Sequence, residues 1–301
     1  MRLRARASLV TAAVLASLAH GPTSAQDTAI GFQSVEWSPD GKRLLVSAIE
    51  RKPDWSDYDP EKWRLVVVEL ETGALRKVET GSPFGCFSPD GKKVAYGKFW
   101  GGNWEVYVTD LATGDRINVS RSPAKDGAPA WSPDGKRLVF TSERDGAQEL
   151  WTTAPDGSGA KRLTKSEGAK PFNPSWSPDG KEVLYYLEKV DHKDQVWVIG
   201  ADGTGAVNVT HDEEHNIFPG WGPKETLVFS VKGKLFTMPR AGGSKTEIAD
   251  TSGSWARISP DGTRIAWIDN KNGPAVWVAR YAGDHVEDAK KPFESAALKG
   301  K

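Results

Sequence analysis

A short motif returns along the chain at a nearly constant distance, and this repeat limits the possible folds more than any other feature. Ser-Pro-Asp-Gly follows an aromatic or apolar residue five times, and a shortened Trp-Gly-Pro-Lys version occurs once. The six units begin at Trp37, Phe87, Trp131, Trp176, Trp221 and Ile258. The steps between them are 50, 44, 45, 45 and 37 residues. A repeat of this length built from short strands predicts a β-propeller with one blade per unit.

The third unit shows how one repeat makes one blade. Residues 128–132 (APAWS), 137–142 (RLVFTS), 149–154 (ELWTTA) and 160–164 (AKRLT) read as four strands, separated by Pro-Asp-Gly and Asp-Gly turns. No segment has the 3.6-residue apolar period of a long helix. A single blade leaves both faces of a small sheet in water, so the blades must stack around a channel. We therefore predict an all-β fold: a six-bladed β-propeller of four-stranded antiparallel blades over residues 26–290.

Aromatic residues recur at fixed places within the units, and we expect them to pack blade against blade. Four tryptophans open first strands, and three more fall in third strands, where Tyr107 and Phe236 take the equivalent place. They are Trp37, Trp131, Trp176 and Trp221, then Trp151, Trp197 and Trp277. The closure of the ring is open at this point. Either residues 281–289 (YAGDHVEDA) supply the last outer strand, or the segment near DTAIGF completes the final blade.

The Trp-Ser-Pro-Asp-Gly-Lys unit at this spacing resembles the WD40-like propeller repeat of the TolB family, also found in propellers that cap prolyl-oligopeptidase-type hydrolases. The resemblance covers about residues 30–280. It implies a propeller acting in the periplasm with partners in the cell envelope. TolB itself has a small α/β domain before its propeller, and the peptidases have a hydrolase domain. We expect neither here, because the first unit starts soon after the N-terminus and residues 291–301 read as a polar tail.

The N-terminal residues 1–25 have the order of a cleavable signal peptide. Arg2, Arg4 and Arg6 precede an uncharged apolar stretch, and small residues end at Ala25, where we place the cut. We expect an exported, soluble chain, periplasmic or secreted, that does not span a membrane and is a monomer. Cleavage lowers the 40 basic residues to 37 against 40 acidic ones, and this charge argues against binding nucleic acid. The single cysteine, Cys86, excludes an internal disulfide.

The predicted topology gives the propeller two different faces. The loops between strands one and two and between strands three and four are short and stereotyped; we call their side the turn face. The loops between strands two and three, and the links between blades, form the opposite side, the loop face, whose sequences vary as binding surfaces do. Aromatic and polar residues in the loops of blades one and two suggest recognition of a peptide or sugar. The candidate binding residues on the loop face are Trp55, Asp57, Tyr58, Phe99, Trp100, Asn103, Trp104, Arg144, His192, His211 and His215.

Residues 211–215 read His-Asp-Glu-Glu-His, which matches a zinc-peptidase pattern. That pattern needs a helix to place both histidines on one side of a metal. Here it falls between the last strand of blade four and the first strand of blade five, so we interpret it as an inter-blade link. No other catalytic motif is recognisable, and we predict no catalytic residue, metal site or cofactor.

Two functions of different classes remain. The first is a non-catalytic binding or scaffold module for a protein or cell-envelope component, with a saccharide or peptide as other possible ligands, acting through the loop face. The alternative is a hydrolase or lyase acting on a sugar or lactone at the central channel, with or without a metal. Fold alone does not separate them, because propellers host many activities.

Overall fold

The computed structural model describes residues 29–51, 59–270 and 273–298, and it confirms the six-bladed β-propeller. Each blade is a four-stranded antiparallel sheet whose strands follow one another in the chain. Blade one contains β1 (Ala29–Trp37), β2 (Arg43–Arg51), β3 (Arg64–Glu69) and β4 (Leu75–Thr80). Blade two contains β5 (Phe84–Phe87), β6 (Lys93–Trp100), β7 (Asn103–Asp110) and β8 (Arg116–Asn118). Blade three contains β9 (Asp126–Trp131), β10 (Leu138–Ser142), β11 (Glu149–Thr153) and β12 (Lys161–Arg162).

The second half of the ring repeats this plan. Blade four contains β13 (Lys170–Trp176), β14 (Glu182–Glu188), β15 (Gln195–Gly200) and β16 (Val207–Asn208). Blade five contains β17 (Asn216–Trp221), β18 (Thr226–Val231), β19 (Lys234–Pro239) and β20 (Thr246–Glu247). Blade six contains β21 (Ser254–Ile258), β22 (Arg264–Asp269), β23 (Ala275–Tyr281) and β24 (Val286–Lys290). The described helical structure consists of two 3₁₀ turns, Pro60–Lys62 and Ser295–Leu298.

The hydrophobic core lies between the blades. The described residues form six buried clusters, and each joins two neighbouring blades. The four repeat tryptophans end the first strands instead of opening them, because each strand begins before the repeated motif. Trp176, for example, ends β13 and packs with Val139 and Leu150 of blade three. The structure thus confirms that the repeated aromatics bind blade to blade, and that the antiparallel order puts all Ser-Pro-Asp-Gly turns on the turn face.

Arginines at the start of second strands, or directly before them, add cation–π contacts and hydrogen bonds between the blades. Arg43 of blade one lies over the Phe87 ring of blade two and donates to the Gly91 carbonyl oxygen. Arg137 of blade three lies over Trp176 of blade four in the same way. Each guanidinium therefore covers the aromatic residue that ends the first strand of the next blade.

Among the residues that the structure describes, no strand is exchanged between the first and last blades where the ring closes. β24 supplies the outer strand of blade six, so the first of the two predicted alternatives is correct. The indole N–H of Trp37 donates to the Arg257 carbonyl oxygen over 2.8 Å, and the Asn270 amide bonds both backbone groups of Phe32. Side chains of blades one and six thus hold this interface.

Residues 291–298 lie against the same interface. Phe293 packs edge-on against Phe32, with ring centroids 6.1 Å apart. Leu298 is buried in the cluster shared by blades six and one, and its carbonyl oxygen accepts from Arg64. The described part of the predicted polar tail therefore contributes apolar side chains to ring closure.

Candidate functional site

The Ser-Pro-Asp-Gly turns of the turn face are folding devices. In blade one, the Ser38 hydroxyl donates to the Asp40 carboxylate over 2.5 Å and accepts the Arg43 backbone N–H over 2.9 Å. The other four complete turns repeat this arrangement at Ser88, Ser132, Ser177 and Ser259. The serine hydrogen bond is the first cause that holds the pKa of the turn aspartates below their ordinary value. These are Asp40, Asp90, Asp134, Asp179 and Asp261.

A second repeated device holds the inter-blade links of the loop face, and sequence reasoning missed it. The Glu149 carboxylate, at the start of β11, accepts from the Thr164 hydroxyl over 2.5 Å and from the Ser166 N–H over 2.7 Å. Glu105 in blade two and Gln195 in blade four make equivalent bonds. Each of the three stands two residues before the third-strand aromatic, and this fixed offset is the signal that could have identified them.

The hairpin of blade two carries the most exposed aromatic side chain among the described residues. Trp100 ends β6 at the loop face and is 65% exposed. The Lys98 ammonium lies 5.1 Å from the centroid of its ring. Phe99 and Trp104 pack on each other across the hairpin at 5.3 Å. Asn103 is engaged differently, because its amide donates to the carbonyl oxygens of the following link.

Three of the predicted binding residues, Trp55, Asp57 and Tyr58, lie outside the described residues. Arg144 lies within them and is enclosed by its own blade. Its guanidinium pairs with Asp126 at 3.2 Å and lies over the rings of Phe140 and Trp151. Burial raises the pKa of Asp126, and the charge of Arg144 opposes that rise.

The structure brings two of the three candidate histidines together. The rings of His192 and His215 lie 6.5 Å apart, and His215 Nδ1 is 3.1 Å from the Asp194 carboxylate. His211 lies exposed in the link between β16 and β17, where the repeat spacing places it. Glu188, at the end of β14, interacts electrostatically with Asp194. Burial is the main cause that raises the pKa of Glu188, and the charge of Asp194 is the second cause.

Aromatic residues also line the central channel near its opening on the loop face. Trp255 stacks on Phe84 at 5.4 Å and contacts Phe218 at 4.7 Å. Tyr186 then joins Phe218 to Phe172, at 6.0 and 5.6 Å. Four of the five rings belong to the inner strands of blades two, four, five and six. The sequence analysis missed them because their contacts arise only when the ring closes.

A buried ion pair lies next to these rings in the channel. The Arg257 Nε donates to the Glu36 carboxylate over 2.6 Å, and its guanidinium lies 5.1 Å from the Trp255 centroid. Burial is the main cause that raises the pKa of Glu36, and Arg257 opposes it. Each residue stands one position before the first residue of its repeat unit, so the ion pair joins the inner strands of the first and last blades.

Two further features of the described residues concern metal-binding groups and helices that could span a membrane. Within residues 29–51, 59–270 and 273–298, histidine, cysteine and acidic side chains do not gather in groups of three or more suited to a metal ion. Over the same ranges, no helix has the length and apolar character needed to cross a membrane.

These observations define a class of protein: a six-bladed propeller built from Ser-Pro-Asp-Gly turns, with a variable loop face around an aromatic channel. The chain belongs to the family of the TolB beta propeller domain, whose model matches residues 80–251. It is 28% identical over 120 residues to the Tol-Pal system protein TolB of Anaeromyxobacter dehalogenans, an alignment covering 40% of this chain and 27% of that protein. The chain spans less than two thirds of the length of the curated relatives that it matches.

Solved structures share the fold at lower sequence identity. TolB from Acinetobacter baumannii superposes with a TM-score of 0.62 at 18% identity, covering 88% of this chain and 66% of that one. An oligogalacturonate lyase in complex with manganese superposes with a TM-score of 0.60, also at 18% identity, covering 87% of this chain and 78% of that one. A TolB protein and a lyase thus share this scaffold, and the likeness bears on the fold alone.

Proposed function

We propose that this chain is an exported, non-catalytic binding module that holds a protein or another cell-envelope component through its loop face. Membership of the TolB propeller family and the signal-peptide pattern of residues 1–25 support export and a role in the envelope. The observation that carries the proposal is the exposed indole of Trp100 on a rigid hairpin of the loop face.

The hairpin presents this indole as a partner-binding anchor would. The pairing of β6 with β7 continues as far as Trp100 and Asn103, so the turn between the two strands consists only of Gly101 and Gly102. Lys98 below the indole is buried, and its ammonium is held by Glu79 at 2.8 Å. The base of the side chain is therefore fixed before binding, which lowers the entropy lost when a partner covers the ring. Tryptophan in such a position is the side chain most often found at binding hot spots.

Quantitative pull-down from envelope extract tests this proposal. Trp100→Ala should reduce recovery of the bound partner at least about tenfold, as expected for a hot spot. Ile117→Ala is the matched control, because Ile117 is also apolar, exposed and in blade two, but lies on the outer strand β8. Equal recovery by wild type, Trp100→Ala and Ile117→Ala would refute the use of this hairpin.

A second candidate is a hydrolase or lyase acting on a sugar or lactone at the channel. The observation that favours it is the group formed by Glu188, Asp194 and His215 beside the inner strands of blades four and five. Purified protein would be assayed on oligogalacturonate and on a lactone panel, with and without added Mn²⁺. Turnover that disappears in Glu188→Gln would establish the enzyme, whereas the binding module predicts no turnover.

A further inference from the structure

We propose that the loop-face mouth of the central channel binds a neutral saccharide unit on the aromatic platform formed by Phe84, Phe172 and Phe218. This site is separate from the Trp100 hairpin and does not depend on partner binding there. It would supply the substrate-binding half of the second candidate function, but it requires no turnover.

The first observation is a left-handed backbone at Phe218 of the platform, at Asn173 beside Phe172, and at Trp255, which stacks on Phe84. The inner strands of blades three to six contain a β-bulge against the second strand. At the third residue before the aromatic or apolar residue that opens each unit, the backbone is left-handed in these four blades. The residues are Ala128, Asn173, Phe218 and Trp255, with φ of 46°, 49°, 55° and 54°. For bulky side chains this conformation is costly, and such strain gathers at functional sites, where bulges redirect side chains.

The rings of Phe84, Phe218 and Trp255 lie on inner strands and also belong to the apolar cluster shared by blades six and one. Phe84 of blade two and Trp255 of blade six belong to blades that are not neighbours, yet their rings stack at 17°. They meet in front of blade one, where the equivalent residue is the smaller Ser34. Phe84, Phe172 and Phe218 are only half-buried, so parts of their surfaces remain accessible to solvent. Flat aromatic surfaces of this kind bind the apolar C–H face of a sugar ring.

Polar groups for sugar hydroxyls lie beside the platform. Asn173, next to Phe172, is 6% exposed, but its amide atoms are not among the fully buried polar atoms that lack a partner. An amide that keeps some access to solvent can hydrogen-bond a ligand hydroxyl. Glu188 follows Tyr186 by two residues on β14, so the carboxylate projects from the same side of the strand as the ring. An amide and a carboxylate together can donate to and accept from neighbouring hydroxyls.

The charges around the mouth favour a neutral ligand. Burial and the neighbouring Asp194 already disfavour the charged form of Glu188. The charged and titratable neighbours of Glu188 are Asp194, Lys170, His192 and His215. The two carboxylates outnumber the single lysine, so a uronate should bind less well here than a neutral sugar.

The inner strands disfavour an extended peptide. Pro129, Pro174 and Pro219 occupy the same position in blades three, four and five. Proline has no N–H, so these edges lack donors that a peptide strand would need. Recognition at the mouth therefore rests on side chains, which suits a small ligand.

Isothermal titration with defined probes tests the proposal. Cellobiose, lactose and chitobiose represent neutral saccharides, digalacturonate an anionic one, and the tripeptide Gly-Trp-Gly a peptide. At least one neutral disaccharide should show saturable binding below about 10 mM. Asn173→Gly should weaken it about fivefold or more by removing the amide, while glycine keeps the left-handed backbone. Phe218→Leu should also weaken it, and Trp100→Ala should leave it unchanged.

The outcomes separate this inference from the functions proposed above. Saturable binding without turnover supports the saccharide site and counts against the second candidate. The inference is overturned if no neutral disaccharide binds, if digalacturonate or the tripeptide binds more tightly, or if neither Asn173→Gly nor Phe218→Leu weakens the binding. Thermal unfolding of both variants distinguishes a lost contact from a lost fold, and the wild-type titration alone decides whether a neutral saccharide binds.

Discussion

The guanidinium of Arg264 in the last blade lies over the indole of Trp37 in the first blade, 4.8 Å from the ring centroid. The same guanidinium donates to the Gly41 carbonyl oxygen over 2.7 Å. Because no strand is exchanged between these blades, side-chain contacts of this kind replace the backbone pairing that a shared sheet would provide.

Arg264→Ala should therefore destabilise the propeller by about 1–2 kcal/mol, through loss of the cation–π contact and one hydrogen bond. Urea denaturation measures the change in the free energy of unfolding. Arg43→Ala is the matched comparison. Arg43 makes the same two kinds of contact, but between blades one and two and not where the ring closes. A loss below about 0.5 kcal/mol in Arg264→Ala would place it among ordinary surface substitutions and contradict the closing role.

The channel ion pair gives a second prediction. Arg257→Met leaves the Glu36 carboxylate, whose side chain is 25% exposed, without its partner and should cost about 1–3 kcal/mol. Adding Glu36→Gln removes the unpaired charge, so the double variant should recover much of that loss. Denaturation of both single variants and the double variant completes a mutant cycle. Additive losses would show that the two side chains are not coupled.

The inter-blade links give a third prediction, with a control that the chain itself provides. The Gln195 side-chain oxygen accepts from the Thr210 hydroxyl in blade four, as the Glu149 carboxylate accepts from the Thr164 hydroxyl in blade three. Glu149→Gln should therefore be tolerated, whereas Glu149→Ala leaves the Thr164 hydroxyl and the Ser166 N–H without their acceptor, at about 1–3 kcal/mol. Thermal unfolding compares the two variants. Equal losses in both would mean that the charge, rather than the acceptor geometry, holds the link.

The turn aspartates give a pH prediction. The hydrogen bond from Ser259 is the main cause that lowers the pKa of Asp261 from 3.8 to about 2 in the folded chain. Folding therefore favours the charged form, and this contribution is present above pH of about 4 and is lost as the pH falls towards 2. Asp261→Asn should lower the urea midpoint more at pH 7 than at pH 2.5.

One variant is compared at two pH values because other carboxyl groups change the stability with pH in the opposite direction. The pKa values of Glu36, Asp126 and Glu188 are raised, so the stability of the whole protein sums opposing effects. An Asp261→Asn effect of the same size at both pH values would contradict the role assigned to this carboxylate.

The fold could be predicted from sequence because its determinants are local. A Ser-Pro-Asp-Gly turn fixes its own backbone through bonds between residues two and five positions apart, as at Ser38 with Asp40 and Arg43. The spacing of the turns then gives the number of blades, their strand order and the two faces. Trp37 and Trp176 pack between blades as their place in the repeat predicts.

The candidate site was harder to predict because it depends on contacts between distant parts of the chain. Sequence cannot show that the Asn103 amide is taken up by backbone carbonyls, or that Asp126 and two rings enclose Arg144. The stacking of Phe84 on Trp255 arises only when blades two and six meet across the channel. Exposed Trp100, by contrast, was identified because it has no counterpart in the other units.

The arrangement of each sheet from four consecutive strands also affects how such a protein can change over evolutionary time. Since every blade is encoded by one uninterrupted stretch of about 45 residues, duplication or deletion of a single stretch adds or removes one whole sheet without rethreading any other. The interface between blades one and six depends on side chains and not on a shared strand, so a ring of a new size could close without a change in strand pairing.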